Sequence, residues 1–183
     1  DSKSLVDELN NNLELTYNKR DLFLISKVLD KKKLIKTFII TKNSNDLFTI
    51  KIKEKNIIGL KKIKNNDYLI DEFNNLIEVK VTPNLNHLPI FTGKNSYNGA
   101  NVILNLIKES NIDLNYISFS LIDNRRWNIN LNNGVKILLP ETKILDTLRL
   151  LKETNIKYNI LNGNFIEIDL RVHEKYFLKP KIN

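Results

Sequence analysis

The 183-residue chain has no cysteine, two histidines, one tryptophan, five glycines and four prolines. Without thiols it has no disulfide framework, no thiolate metal site and no cysteine nucleophile, and His87 and His173 are too few for a histidine-rich metal centre. No run of about eighteen uninterrupted apolar residues occurs, so nothing in the sequence as given spans a membrane as a helix. There is also no glycine-rich phosphate loop, no nucleophile elbow and no set of ligands at metal-binding spacing. Paired carboxylates occur at Asp7–Glu8 and Asp71–Glu72. Adjacent side chains point to opposite faces of a strand and diverge by about 100° on a helix, so neither pair makes an acid–base couple by itself. The sequence therefore reads as non-enzymatic, with no cofactor, no metal and no small-molecule substrate.

What is present is the composition of an ordered globular protein: 42% hydrophobic and 27% charged residues. The 29 Lys and Arg against 21 Asp and Glu leave a formal charge of +8, which raises nucleic acid or an anionic membrane as partners. Heavy use of Asn, Lys, Ile and Leu throughout points instead to AT-rich coding. Only Lys31–Lys32–Lys33 and Lys61, Lys62 and Lys64 cluster. Arg125-Arg126-Trp127 offers phosphate contacts and a stacking ring, yet Trp127 opens an alternating segment that would pack its ring on a sheet.

Periodicity predicts an α+β chain. Leu5, Leu9 and Leu13 suggest a helix over residues 2–13, and Leu22, Ile25, Ser26 and Leu29 a second over 20–32 with Asp21 as its cap. A hairpin follows, its strands carrying Phe38 and Ile40 and then Phe48, Ile50 and Ile52. Two helices on a hairpin form an incomplete unit that a strand before Asp1 would complete. From residue 56 onwards short strands dominate, at 57–61, 68–71, 76–81, 112–122, 127–131 and 135–139, with helices over 95–109 and 141–153. A last strand runs over 165–178. In it Phe165, Glu167, Asp169, Arg171 and His173 alternate with Ile166, Ile168, Leu170 and Val172, giving one charged and one apolar side.

The order of these motifs resembles the bacterial cell-division family FtsQ/DivIB. Ile35, Phe38, Ile40 and Lys42, then Phe48, Ile50, Ile52 and Glu54, resemble strands of a POTRA domain lacking its opening strand, although Ile57 and Gly59 stand where the family has proline and alanine. The remainder resembles the family's β domain through Ile70-Asp71, Leu88-Pro89-Ile90-Phe91-Thr92-Gly93, Arg126-Trp127, Asn132-Asn133-Gly134, Leu138-Leu139 and Ile168-Asp169-Leu170-Arg171. Val172 departs from the aromatic residue that often follows.

The resemblance implies a POTRA-like domain over residues 1–55, followed by a mostly antiparallel β domain with two helices over 56–183. It further implies the periplasmic part of a single-pass inner-membrane protein, anchored by a segment before Asp1 and acting at the septum as a scaffold for the division proteins FtsB and FtsL. A terminal edge strand could take a partner strand through its main chain. The expected surface is Phe165, Ile166, Glu167, Ile168, Asp169, Leu170, Arg171, Val172, His173 and Tyr176, with Arg126 and Arg171 as cations for an acidic partner. Two alternatives remain at this point. In one the strand is covered by its own C-terminal tail, and in the other Arg171 closes an internal ion pair. Other readings of the chain are a basic nucleic-acid-binding module and a POTRA-bearing chaperone or transport accessory.

Overall fold

The computed structural model describes residues 19–42, 48–79, 87–172 and 174–181. The helix expected over 2–13 and His173 lie outside the described residues. The chain divides into two compact units, Asp1–Asn56 and Ile57–Asn183.

In the first unit, helix α1 (Lys19–Asp30) precedes the antiparallel hairpin of β1 (Ile35–Lys42) and β2 (Phe48–Glu54). Asp21 lies inside the first turn of α1 rather than capping it. Ile25 and Leu29, one helical turn apart, are fully buried, and Val28, Ile35, Phe38, Ile40 and Ile50 pack against them. The alternation of β1 produces this: Ile40 pairs with Ile50 toward the helix, while Ile39 pairs with Lys51 on the exposed side.

The second unit is built on β3 (Ile57–Ile63), β4 (Asn66–Asp71), β5 (Leu76–Val79), β6 (Ile90–Thr92), β7 (Tyr116–Ile122), β8 (Arg126–Leu131), β9 (Lys136–Leu138), β10 (Phe165–Asp169) and β11 (Phe177–Pro180). Among the described residues they form one sheet in the order β11-β10-β9-β8-β7-β6-β3-β4-β5. Most neighbours are antiparallel; β3–β6, β6–β7 and β9–β10 are parallel. A 3-10 turn (Ser96–Gly99) leads into α2 (Ala100–Ser110), and α3 (Ile144–Tyr158) connects β9 to β10.

One apolar row crosses six strands in register: Phe91, Phe119, Ile129, Ile137, Ile168 and Leu178. The first five are almost completely buried, and Ala100, Ile103 and Ile107 of α2 and Leu148 and Leu151 of α3 belong to the same core. At about 1.5–3 kcal/mol for each fully buried large side chain, this row and the helix stripes hold the unit together. The adjacent residues point to the other face, which carries Thr92, Ser120, Asn128, Asn130, Lys136, Glu167 and Asp169. There Thr92 donates to Ser120 Oγ at 2.8 Å, and Asn130 donates to Ser118 Oγ at 2.8 Å.

Several expected boundaries move for local reasons. The motif at residues 88–93 contains the central strand β6, whose three residues are too few to show a period. Ile112 and Leu114 are buried but lie outside the ladder, because α2 ends at Asn111 in the left-handed region and the chain must first return to the sheet. Helix α3 begins at Ile144 and continues to Tyr158, with Asn159 (φ 50°) closing it. Two glycines permit close approach here. A Cβ on Gly59 would lie 2.4 Å from the Phe91 ring, and one on Gly93 (φ 93°) would lie 2.2 Å from the Leu121 carbonyl oxygen.

Candidate partner-binding edge

The alternating segment at the end of the sequence is two strands, not one. The ladder of β10 stops at Asp169, Lys175 N–H donates to Val172 O at 3.1 Å, and Glu174 takes a left-handed φ of 57°. The chain returns as β11, antiparallel to β10, with Asp169 opposite Phe177, Ile168 opposite Leu178 and Glu167 opposite Lys179. The expectation of one edge strand over residues 165–176 is therefore corrected. β10 is paired on both sides, with β9 and β11, and the edge of the sheet is β11. The alternative in which the C-terminal tail covers the strand is what the fold adopts. Nothing in the sequence flags the turn, since Glu174 replaces the Gly or Asn that a left-handed residue usually requires.

The expected site residues separate accordingly. Ile168 and Leu170 are buried in the core, and Phe165 packs against it. Ile166 and Glu167 are half-buried, while Arg171, Val172 and Tyr176 are exposed. Phe177, which the sequence did not single out, is 55% exposed beside Asp169.

Asp169 is the electrostatic centre of the edge. Arg171 donates Nε to Oδ1 at 2.8 Å and Nη2 to Oδ2 at 2.6 Å, and its backbone N–H also reaches Oδ1 at 3.0 Å. The Arg171 hydrogen bond is the largest influence on Asp169 and holds its carboxyl below the usual carboxylate range, against a smaller opposing effect of burial. The Arg126 charge adds to the lowering. Arg171 thus closes an internal pair, the other alternative left open by the sequence. Arg126 is differently placed: its Nη2 lies 3.7 Å from Asp123 Oδ2, and its buried Nε has no hydrogen-bond partner among the described residues.

Arg125 pairs with Glu141 at 3.4 Å and lies 3.9 Å from Asp123. Trp127 is 7% exposed, stands edge-on to Phe91 and Phe119, and covers Gly99. Its ring is a core element and is not free to stack on a base, which removes the stacking contact from the nucleic-acid reading.

Lys61, read from sequence as part of a basic cluster, is buried. Its Nζ donates to Ser96 Oγ and to Gly93 O, both at 2.8 Å, and desolvation lowers its pKa. A lysine beside a serine can in principle activate a nucleophile. Ser96 is completely buried, so this pair instead pins β3 to the turn after β6. Asp71, also completely buried, accepts the N–H groups of Phe73 and Asn75 and so shapes the turn after β4. Among the described residues no group of three His, Cys, Asp or Glu is arranged to hold a metal, and no helix is long and apolar enough to cross a membrane.

Together these features define an α+β protein whose larger unit ends in an open sheet edge bordered by an arginine–aspartate pair. The family "Cell division protein FtsQ/DivIB, C-terminal" matches residues 60–171, and the chain belongs to that cell-division family. Among its relatives, the cell division protein FtsQ of Rickettsia typhi is 28% identical over 181 residues, covering 95% of this chain and 68% of the relative. FtsQ of Rickettsia prowazekii is 29% identical over 157 residues, covering 85% and 58%. FtsQ of Rhizobium radiobacter is 24% identical over 127 residues, covering 69% and 60%. This chain thus spans 58–68% of the length of these relatives. The major extracytoplasmic domain of DivIB from Geobacillus stearothermophilus is similar over 61% of this chain and 98% of its own, with 12% identity and a TM-score of 0.36.

Proposed function

We propose that the chain is the periplasmic part of a non-enzymatic division scaffold, held in the inner membrane by a single upstream anchor and acting at the septum. Residues 1–55 correspond to a POTRA-like domain and residues 56–183 to the β domain that binds FtsB and, with it, FtsL. The observation that carries the partner reading is β11. It is short, it closes one end of the sheet, and its outward side has no neighbouring strand among the described residues. Unpaired N–H and C=O groups of this kind accept an added strand, with the main chain supplying affinity and alternate side chains specificity. Phe177 and Tyr176, both exposed, supply apolar contacts, and Arg126 is the cation for an acidic partner residue.

The test combines hydrogen exchange with substitution. Exchange in the free protein identifies which of the Leu178 and Lys179 amides points outward, and proline is placed there. Binding of the FtsB periplasmic segment should weaken by about tenfold or more, equivalent to the loss of one or two main-chain hydrogen bonds. Unchanged binding by a folded variant overturns strand addition at β11.

A further inference from the structure

Three of the five glycines follow asparagine: Asn98–Gly99, Asn133–Gly134 and Asn162–Gly163. In such a pair the glycine main-chain nitrogen can attack the asparagine side-chain carbonyl carbon, because the absent Cβ leaves the approach open. The new N–C bond closes a succinimide and the side-chain amide leaves as ammonia. Water then opens the ring at either carbonyl, giving aspartate or isoaspartate, with no oxidant, reductant or further reagent.

The fold treats the three pairs differently. At Asn133 the attacking group is occupied, since Gly134 N–H donates to Leu131 O at 3.1 Å. Its side chain is also held at both ends, with Nδ2 donating to Leu161 O at 2.8 Å and Oδ1 accepting from Val135 N–H at 3.1 Å. Asn98 and Gly99 lie within the 3-10 turn, where Asn98 O accepts from Asn74 Nδ2 at 3.0 Å and Gly99 packs beneath Trp127. Asn162 is exposed in the bend between α3 and β10, outside any helix or strand. Among the described residues Gly163 N–H has no hydrogen-bond partner, and the Asn162 side chain makes one bond, 3.1 Å to Asn159 Oδ1 on the surface.

We infer that Asn162–Gly163 is a site of spontaneous deamidation and isoaspartate formation that acts on the β11 edge. The bend is tied to that edge: Asn164 O accepts from Lys181 N–H at 2.9 Å, Phe165 is paired with Pro180, and Gly163 packs against the Phe165 ring. Isoaspartate lengthens the main chain by one carbon at residue 162 and adds a negative charge, which displaces the entry to β10 and weakens the anchoring of β11. The chemistry is independent of what binds the edge, so its test requires no partner.

The intact protein is incubated at mildly alkaline pH and then mapped by peptide mass spectrometry with a fragmentation that separates isoaspartate from aspartate. A urea-denatured sample serves as control, in which all three pairs convert at comparable rates. In the native protein Asn162 should convert at least about tenfold faster than Asn133, whose attacking amide and side chain must first give up their hydrogen bonds. Equal or faster conversion of Asn98 or Asn133 overturns the assignment, as does an unconverted Asn162 in the native protein. Hydrogen exchange at whichever of the Leu178 and Lys179 amides bonds to β10 should rise in the converted wild type and stay constant in similarly aged Asn162→Gln. Conversion without that rise overturns the link to β11.

Discussion

Arg171 grips Asp169 with two side-chain bonds, at 2.8 and 2.6 Å, across the end of β10. A lowered carboxylate pKa means that the native state binds its proton less readily than the unfolded chain does. The resulting stability is fully present above the ordinary carboxylate pKa and is lost as pH falls through the native value. Acid titration of stability should therefore show a shallower loss in Asp169→Asn than in the wild type. Urea unfolding at several pH values measures this, and identical slopes would remove Asp169 as a contributor.

The two arginines make a contrasting pair. Arg171 is held tightly by Asp169, whereas Arg126 makes a looser ion pair, 3.7 Å from Asp123. Arg126→Ala should weaken binding of an acidic FtsB segment by several-fold to tenfold, about 1 kcal/mol, with a reduced salt dependence of association. Arg171→Ala frees Asp169, so its expected loss combines like-charge repulsion of the partner with disturbance of the turn. Equal salt dependence in wild type and Arg126→Ala, measured by surface binding or calorimetry, would contradict a cationic role for Arg126.

Gly93 has both a left-handed φ and no room for a Cβ beside Leu121. Gly93→Ala should destabilise the second unit by about 2–4 kcal/mol, combining main-chain strain with displacement of β7. Urea unfolding should give a lower midpoint at unchanged slope.

Lys61 titrates below the ordinary lysine value because it is buried. Below the native value the proton is bound in both native and unfolded chains; between the native and unfolded values only the unfolded chain holds it. Stability should therefore rise with pH through the window below 10.5, the ordinary value, and Lys61→Met should lose that rise. A stability measurement across the alkaline range decides this, and equal pH dependence in both proteins would assign the effect elsewhere.

Much of the fold is legible in local pattern. The alternation at 38–42 and 48–53 predicts the hairpin, Ala100, Ile103, Leu104 and Ile107 predict the inward stripe of α2, of which Leu104 is only partly buried, and Asn133–Gly134 predicts the β8–β9 turn. The site was only partly legible. Asp169 and Arg171 do pair at the end of β10, but Phe177 lay hidden inside what reads as a single strand, because alternation continues on both sides of a turn that lacks turn residues. β6 escaped for the opposite reason: three residues carry no period, and its place in the middle of the sheet depends on partners distant in sequence.

The sequence by itself determined the α+β class, the absence of thiol chemistry and the two-faced strands, since each follows from residue type and spacing along a local stretch of chain. It also supplied the motif order that resembles the division family. Tertiary structure alone decided which strand forms the edge, which lysine is buried and which acid each arginine pairs with. Those outcomes depend on strand order and register, where residues far apart in the chain compete for the same hydrogen bonds, charges and exclusion from water.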